Sequence, residues 1–233
     1  MVKELIIEKR YCGPSTSGQG GYVCGLIGSL LEGPAEVTLR VPPPLDRTMT
    51  LYLEAGDLCR MMDGDTLVAE ARRAAVEVNA PPSPSYAEAQ DASKNYFGFT
   101  SHPFPECFVC GPARAQGDGM RIFPGPVPGT PMVAAPWIPD ASLCNGKGVV
   151  RPEFIWAALD CPGAFGAMGD TPRIIVLGKL AVAILKDVRS GERCVVTGWM
   201  MEQDGRKNHV GTAIFSESGG LCAKAKATWI ELK

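Results

Sequence analysis

Two segments of twelve residues, 67–78 and 221–232, match each other at fixed positions. The matching pairs are Leu67 with Leu221, Ala69 with Ala223, Ala71 with Ala225, Glu77 with Glu231, Arg72 with Lys226 and Val76 with Ile230. Both segments follow a turn and alternate small or apolar residues with charged ones, which is the period of a half-buried strand. Ala, Glu and Arg also favour helix in the first segment, whereas the second favours strand. We therefore predict two corresponding strands and an internal duplication of the chain.

The segment between the two halves, from about residue 79 to 106, is dominated by Pro, Ser and Ala and holds no period. Such composition is typical of a linker or a long surface connection. The length of 233 residues allows one large domain or two small ones. We predict an N-terminal half at 1–80, a linker at 81–106 and a C-terminal half at 107–233.

Each half contains one apolar helical segment followed by a series of strand-like segments. In the first half, a short strand near 4–10 precedes a helix within 18–33, and strands near 35–41 and 49–55 lead to the repeat segment. In the second half, strands near 119–123 and 132–138 precede one helix over 151–169, and three further strands lead to the repeat segment. A long apolar helix needs burial on most of its surface. A curved antiparallel sheet wrapped around each helix supplies that burial, so we predict an α+β fold.

Composition and charge exclude several classes of function. The net charge is −2, which gives no indication of binding to nucleic acid or to an anionic membrane. Apolar runs are short and interrupted, so no transmembrane helix is expected, and the N-terminal residues lack the apolar core of a signal peptide. We predict a cytoplasmic protein.

The helical segment of the second half carries a carboxylate, Asp160, at the end of an apolar run, with Pro162 just beyond it. The helical segment of the first half begins with Gln19, Gly20 and Gly21. The glycines can be a tight turn before a helix, and Asp160 can be a residue of the last helical turn bonded to nearby backbone. In that last turn the helix dipole disfavours an acid by some tenths of a kcal/mol, which mildly favours a functional reason for Asp160.

The order of elements resembles the hotdog fold, and two halves in one chain resemble a double hotdog of the acyl-CoA thioesterase superfamily. Small hotdog thioesterases of the phenylacetyl-CoA type carry a His-Gly-Gly pattern followed by a short apolar run and Asp. Laid on the first helix, this pattern falls on Gln19, Gly20 and Gly21, and the acid position falls on Gly28. Laid on the second helix, it falls on residues 151–153, and the acid position falls on Asp160.

The resemblance therefore implies one composite site that joins Gly20 and Gly21 of the first half to Asp160 of the second. The other composite site would pair Gly28 with Pro152, which has no amide proton, and would be inactive. Amides at a helix start are free donors at the positive end of the dipole and can hold the oxyanion of a thioester. Asp160 would activate water as a base or attack as a nucleophile, and a raised pKa near an apolar wall suits a base. Gln19, in place of the family's His, could hydrogen-bond the carbonyl or the water.

Larger fused acyl-CoA thioesterases complete their site with a polar cluster of Asp, Thr or Ser, and Gln. Here Asp160 matches the Asp, Thr212 could supply the hydroxyl, and the Gln position falls near Ala227, which cannot serve. Asn208 and His209 at the start of a strand are further candidates for substrate binding. Arg206 and Lys207 could meet the phosphates of coenzyme A, although charged residues of this kind are often a solvated turn.

Nine cysteines without a framework spacing indicate reduced, mostly buried thiols. Cys107 and Cys110 form a CxxCG knuckle, which is half of a zinc ribbon, but the second half is missing. Cys144 and Cys161 stand alone in the sequence, and His102 lies too close to the pair to be an obvious fourth ligand. We favour a packed turn over structural zinc or redox chemistry, and predict no metal and no cofactor.

Three functions from different classes remain open. The first is hydrolysis of an acyl thioester carried by coenzyme A or an acyl carrier protein. The second is a dehydratase or hydratase on the same fold, although no His follows Asp160 closely. The third is a non-catalytic acyl-CoA-binding protein. A homodimer of the fused chain is expected by analogy with other hotdog proteins.

Overall fold

The computed structural model describes residues 2–54, 57–169, 171 and 173–232, and eleven strands within them form a single antiparallel sheet. The strands are β1 (Val2–Ile6), β2 (Ala35–Leu39), β3 (Thr48–Glu54), β4 (Leu58–Asp63), β5 (Thr66–Arg73), β6 (Gly125–Pro126), β7 (Met132–Trp137), β8 (Ile175–Ile184), β9 (Cys194–Asp204), β10 (Lys207–Ser216) and β11 (Leu221–Glu231). The helices are α1 (Gly20–Gly28), α2 (Tyr86–Lys94), α3 (Pro152–Ala158) and α4 (Cys161–Met168). None of the helices in these ranges is long and apolar enough to cross a membrane.

The strand order has the same pattern on both sides of one central pairing. The order is β1-β3-β4-β5-β2-β8-β11-β10-β9-β7-β6, and β2 pairs with β8 from Ala35 opposite Val182 to Thr38 opposite Lys179. Outward from this pairing, β5 and β11 occupy equivalent places, and they contain the two matching sequence segments. The strand reading of the first segment is confirmed up to Arg73, while the duplication itself stays a prediction.

The helices pack against the sheet. Helix α1 contacts β2, β4, β5 and β8, and α4 contacts β7, β9 and β10. Buried apolar side chains from both halves form one main core, whose members are spread along the sequence from Ile7 to Trp229. The predicted α+β architecture of a sheet wrapped around apolar helices is therefore confirmed, and the sheet is open rather than closed into a barrel.

The helix predicted over 151–169 is wrong in one respect, because the structure breaks it into α3 and α4 at Leu159 and Asp160. Pro162 accounts for the break: it has no N–H for the carbonyl of Ala158, and its ring would clash with that carbonyl in a continuous helix. In α4 the same proline lies in the first turn, where an N–H is not needed. Asp160 consequently lies between two helices and not in the last turn of one.

Two further expectations differ from the structure. The strand predicted near 119–123 does not form; the two-residue strand β6 follows it instead. The segment predicted as a linker contains α2, whose start is fixed by a capping box between Ser85 and Glu88. Helix α2 buries Ala89 and Ala92 and contacts β6 and β7. The boundaries at residues 80 and 106 stay a prediction.

Helices α1 and α3 approach each other through glycines of α1. A Cβ atom at Gly21 would lie 2.7 Å from the carbonyl oxygen of Trp156, and one at Gly25 would lie 2.5 Å from Cα of Glu153. A Cβ atom at Gly28 would lie 2.6 Å from the indole ring of Trp156. These separations are too short for any side chain, so the spacing of the two helices requires glycine at these positions.

We predict that Gly25→Ala lowers the free energy of unfolding by about 1–3 kcal/mol, as overpacking does in a close-packed interior. The added methyl group meets backbone, which no side-chain rotation can relieve. Gly146→Ala is the matched control, because a Cβ at Gly146 meets nothing within 4 Å. Chemical denaturation of both variants beside the wild type measures the effect, and equal stability of Gly25→Ala and wild type would contradict the packing described.

Candidate active site

The structure brings Asp160 to the start of α1. One carboxylate oxygen, Oδ2, accepts hydrogen bonds from the Gly21 amide at 2.8 Å and from the Gln19 side-chain Nε2 at 2.5 Å. Residues separated by about 140 positions in the sequence therefore meet across the two halves. Asp160 is 2% exposed and Gln19 is 1% exposed, so these bonds are shielded from water.

Gln19 is oriented by its position as the N-cap of α1. Its Oε1 accepts a hydrogen bond from the amide of Tyr22 at 2.6 Å, which satisfies one of the free donors at the helix start. With Oε1 used in this way, Nε2 is directed towards Asp160. Gln19 therefore connects the cap of one helix to the acid of the other half.

Gly20 retains a free amide at the first position of α1. An intrahelical acceptor does not exist at this position, and no acceptor for Gly20 N–H is found among the described residues. The position is crowded: a Cβ at Gly20 would lie 2.9 Å from the Leu177 side chain and 3.4 Å from Asp160 Oδ2. The two glycine amides thus differ: the Gly21 amide donates to the Asp160 carboxylate, whereas the Gly20 amide is available to a ligand.

The pKa of Asp160 is raised to about 8 by burial, the largest cause, and by the nearby Cys107, against the lowering effect of the bonds from Gly21 and Gln19. The second carboxylate oxygen, Oδ1, is buried and has no hydrogen-bond partner among the described residues. A buried acceptor without a partner is costly, so Oδ1 is the atom at which a proton, water or ligand can be bound.

Asp160 lies on the wall of a cavity of about 450 Å³. Gln19, Gly20, Leu177, Phe165 and Trp229 are among the residues that line it. Most of this lining is apolar, as is usual for small-molecule sites with a few placed polar groups. Neither Gly28 nor Pro152 lines the cavity, and Gly28 faces the ring of Trp156.

Thr212 and Asn208 are buried on β10 near the helix break but do not bond Asp160. The Thr212 hydroxyl donates to the carbonyl of Leu159 at 2.7 Å, so it holds the turn that carries Asp160. The side-chain nitrogen and oxygen of Asn208 are buried with no hydrogen-bond partner among the described residues. Neither side chain lines the cavity.

The remaining predicted binding residues, Arg206, Lys207 and His209, lie at or just before the start of β10, beside the last residues of β11. The ring Nδ1 of His209 is 3.1 Å from the Thr228 hydroxyl, and Arg206 donates to the carbonyl of Glu231. Arg206, Lys207 and His209 are outside the set of cavity-lining residues. Their contact with a substrate stays a prediction.

Two cations that line the cavity were not anticipated. Arg40 and Arg173 both belong to its lining; Arg40 pairs with Glu70, and Arg173 pairs with Glu231 at 3.3 Å. Arg40 follows a strand of the first half and Arg173 precedes a strand of the second, so no motif in the sequence connects them with Asp160.

A group of thiols lies beside Asp160 in the same cavity. Cys107, Cys110 and Cys161 are buried, and their sulfur atoms all lie within 4.8 Å of one another. His102 Nε2 is 3.3 Å from Cys110 Sγ, and Gln19 Nε2 is 3.6 Å from Cys161 Sγ. Among the described residues, the three cysteines are the group that could hold a metal ion.

Comparison with known proteins was made at the levels of sequence and structure. No family model matches the chain, and no curated protein matches it. Among solved structures, a putative thioesterase from Novosphingobium aromaticivorans is 12% identical, with a TM-score of 0.69, covering 100% of this chain and 96% of its own. The TesB protein of Mycobacterium avium subspecies paratuberculosis is 12% identical, with a TM-score of 0.66, covering 100% of this chain and 93% of its own.

A hot dog fold protein of unknown function from Alicyclobacillus acidocaldarius is also 12% identical, with a TM-score of 0.66, covering 100% of this chain and 93% of its own. The match spans the whole chain rather than one half. The protein therefore has a double hotdog fold, which these three structures match over the full chain.

We predict that Asp160→Asn changes the pH dependence of stability. The folded pKa of about 8 is raised from the ordinary 3.8, so the stability that the acid contributes is complete below pH 3.8 and is lost as pH rises towards 8. Relative to Asp160→Asn, the wild type should lose up to about 1.4 kcal/mol of unfolding free energy per pH unit in this window.

Denaturant unfolding of both proteins at pH 5, 6, 7 and 8 measures this difference. Asp140→Asn is the control, because Asp140 is exposed and its pKa is lowered by the Ser142 hydroxyl and amide. Parallel stability curves for wild type and Asp160→Asn would show that Asp160 is not buried as described.

Proposed function

We propose that the protein hydrolyses an acyl thioester of coenzyme A at one composite site formed by the start of α1 and the break between α3 and α4. The observation that carries the proposal is that Asp160 and Gly20 line the same apolar cavity, and that Oδ1 of Asp160 and the amide of Gly20 have no hydrogen-bond partner among the described residues. The shared architecture with TesB and other thioesterase structures supports the same reaction class.

In the proposed reaction, ionised Asp160 accepts a proton from a water molecule through Oδ1 as the water oxygen attacks the thioester carbonyl carbon. The carbonyl π electrons move onto oxygen, and the Gly20 N–H donates to that oxyanion at the positive end of α1. The oxyanion then re-forms the C=O bond and expels the thiolate, which takes the proton back from Asp160. The products are a carboxylic acid and a free thiol.

Gly21 and Gln19 act as positioning residues in this scheme. Their two N–H groups donate to Oδ2 of Asp160, which leaves Oδ1 without a partner and available as the proton acceptor. They also stabilise the ionised form against the cost of burial. Direct attack of Asp160 on the carbonyl is the alternative route, and incorporation of oxygen-18 from water into the carboxylate of Asp160 during one turnover would distinguish it.

We predict that Asp160→Asn lowers kcat/KM by about 10²–10⁴-fold, the usual contribution of a general base. The amide is isosteric and can still accept the bonds from Gly21 and Gln19. Purified proteins are incubated with short, medium, long and aromatic acyl-CoAs, and free coenzyme A is followed by mass spectrometry, because nine cysteines interfere with thiol dyes.

The matched control for this experiment is Glu153→Gln, a carboxylate at the start of α3 that pairs with Arg151 outside the cavity. We expect this variant to keep wild-type turnover. Equal turnover by Asp160→Asn and wild type would remove the acid from the mechanism. If the wild type hydrolyses none of the acyl-CoAs, the proposal that it hydrolyses coenzyme A thioesters is wrong.

The cations of the cavity define where the coenzyme A phosphates bind in this proposal. Arg40 and Arg173 line the cavity, whereas Arg206 does not line it and donates to the backbone carbonyl of Glu231. Guanidinium groups suit phosphates because they donate two parallel hydrogen bonds.

We predict that Arg40→Ala raises KM for an acyl-CoA at least about 5-fold with little change in kcat, as expected when one charge-assisted contact, worth about 1–2 kcal/mol, is lost. Arg206→Ala is the comparison, and its KM should be unchanged. Steady-state kinetics at low salt measures both. A larger effect at Arg206 than at Arg40 would assign the phosphate site to the β10 end of the sheet instead.

One observation favours a second candidate, an acyl-CoA-binding protein without turnover. The Thr212 hydroxyl is bonded to the Leu159 carbonyl and so is not available to the reacting water. Saturable binding of an acyl-CoA with no release of coenzyme A, measured by calorimetry and mass spectrometry together, would establish this function. His209 does not serve the dehydratase alternative, because it bonds Thr228 and does not line the cavity, whereas His102 lines the cavity and is in contact with Cys110 Sγ.

Three finer points belong to the same proposal. The thioester can be carried by an acyl carrier protein in place of coenzyme A. The fused chain can form a homodimer. The cysteines are free thiols, which suits the reducing cytoplasm. An assay with acyl carrier protein substrates, analytical ultracentrifugation and cell fractionation test these points separately.

A further inference from the structure

The group of three thiols beside Asp160 is assembled from two distant parts of the chain. Cys107 and Cys110 lie in one turn, and Cys161 is the first residue of α4, so 54 residues separate Cys107 from Cys161. The three side chains are 3–5% exposed. Cysteine is often buried singly as a small apolar residue, but three sulfurs converging on one point form the donor set of a metal site.

The turn that carries Cys107 and Cys110 has the geometry of a metal-binding knuckle. The amide of Gly111 donates to the carbonyl of Cys107 at 2.9 Å. A Cβ at Gly111 would lie 2.5 Å from the Cys107 backbone, so only glycine allows this turn to close. The thiolate form of cysteine is the form that binds metal.

The distances match those of a tetrahedral ion. Zinc–sulfur bonds of about 2.3 Å at tetrahedral angles place two sulfurs about 3.8 Å apart. Cys107 Sγ and Cys161 Sγ are 3.8 Å apart, and all three sulfurs lie within 4.8 Å of one another. A disulfide requires a separation of about 2.05 Å, so the observed arrangement suits an ion between the sulfurs better than a bond between two of them.

His102 supports the group from outside. The amide of Phe104 donates to its Nδ1 at 2.9 Å, so the ring proton is on Nε2, which is 3.3 Å from Cys110 Sγ. His102 therefore donates a hydrogen bond to a sulfur, in the way that outer groups tune metal ligands. The three cysteines and His102 all line the cavity that Asp160 also lines, so the group borders a space that a ligand can enter.

We propose that Cys107, Cys110 and Cys161 bind one zinc ion through three thiolates, with His102 as hydrogen-bond donor to Cys110 and the fourth coordination position open to the cavity. Each thiol releases its proton to solvent when the ion binds. Soft sulfur donors select zinc over magnesium or calcium. An open fourth position is typical of zinc sites that bind water or a ligand rather than purely structural sites. The proposal does not depend on thioester hydrolysis.

The first test measures metal in the wild-type protein, which avoids any question of misfolded variants. The full chain is reduced, loaded with Zn²⁺ and desalted, and its metal content is determined by plasma mass spectrometry. One zinc per chain is expected. Loading with Co²⁺ should give the intense near-ultraviolet absorption of thiolate-to-cobalt charge transfer. Absence of both bound zinc and this absorption in reduced protein would overturn the proposal.

The second test uses single variants. Cys107→Ser, Cys110→Ser and Cys161→Ser should each lose the bound zinc, whereas Cys194→Ser, a buried cysteine on β9 outside the cavity, should retain one equivalent. His102→Ala should weaken zinc binding about 10–100-fold, as loss of an outer partner does, and keep the cobalt–thiolate absorption. Complete loss of binding in His102→Ala would overturn its assignment as a hydrogen-bond donor. Retention of zinc in all three serine variants would overturn the site.

Intact mass before and after reduction distinguishes a zinc site from a disulfide between two of the three cysteines. A disulfide between Cys107 and Cys161 would lower the mass of the protein as isolated and block zinc binding until reduction. Zinc binding by reduced protein with the stoichiometry above supports the proposal, whereas a reduced protein that retains three free thiols in excess Zn²⁺ contradicts it.

Discussion

The close approach of α1 and α3 is the contact on which the candidate site depends. Gly21 and Gly25 present bare backbone to the backbone of α3, so the two helices lie closer than side chains would permit. At this spacing the carboxylate of Asp160 reaches the Gly21 amide at 2.8 Å. The same glycines thus serve packing and chemistry, because any side chain added between the helices would move the acid away from the first turn of α1.

The surroundings of Asp160 show a balance between burial and hydrogen bonding. Removal from water favours the protonated acid, while the N–H groups of Gly21 and Gln19 favour the carboxylate, and burial is the larger effect. Asp160 lies at the break between α3 and α4 and lines the cavity. Pro162 and the bond from Thr212 to Leu159 hold that break in place.

Much of the arrangement follows from sequence patterns that have a direct physical cause. The alternation in the two matching segments predicts strands β5 and β11, whereas the meeting of residues 19–21 with Asp160 is what the resemblance to hotdog thioesterases implies. Pro162 indicates the helix break, although the apolar run around it is typical of one continuous helix. The capping box of Ser85 and Glu88 indicates the start of α2, although the segment is rich in Pro and Ser, which is typical of a linker. These local features could have been predicted from the chain.

Other features depend on the fold and have no local signal. Cys161 joins Cys107 and Cys110 only because α4 begins beside the turn that holds them. His102 is adjacent to that turn in sequence, yet its tautomer follows from the amide of Phe104. Likewise, Arg40 reaches the cavity through the pairing of the two halves at β2 and β8. Long-range proximity of this kind is set by sheet order and not by spacing along the chain.

The position of Gly28 against the indole of Trp156 has a consequence for how this molecule can change over time. In a symmetric dimer of identical halves, one codon determines the same residue in both sites, so every substitution is made twice. Here each position is encoded once. Trp156 fills the space beside Gly28, so a substitution at either position is felt once, through the packing of this one contact. Evolution, or an engineer, can therefore remodel one half of the chain without altering the counterpart residues of the other.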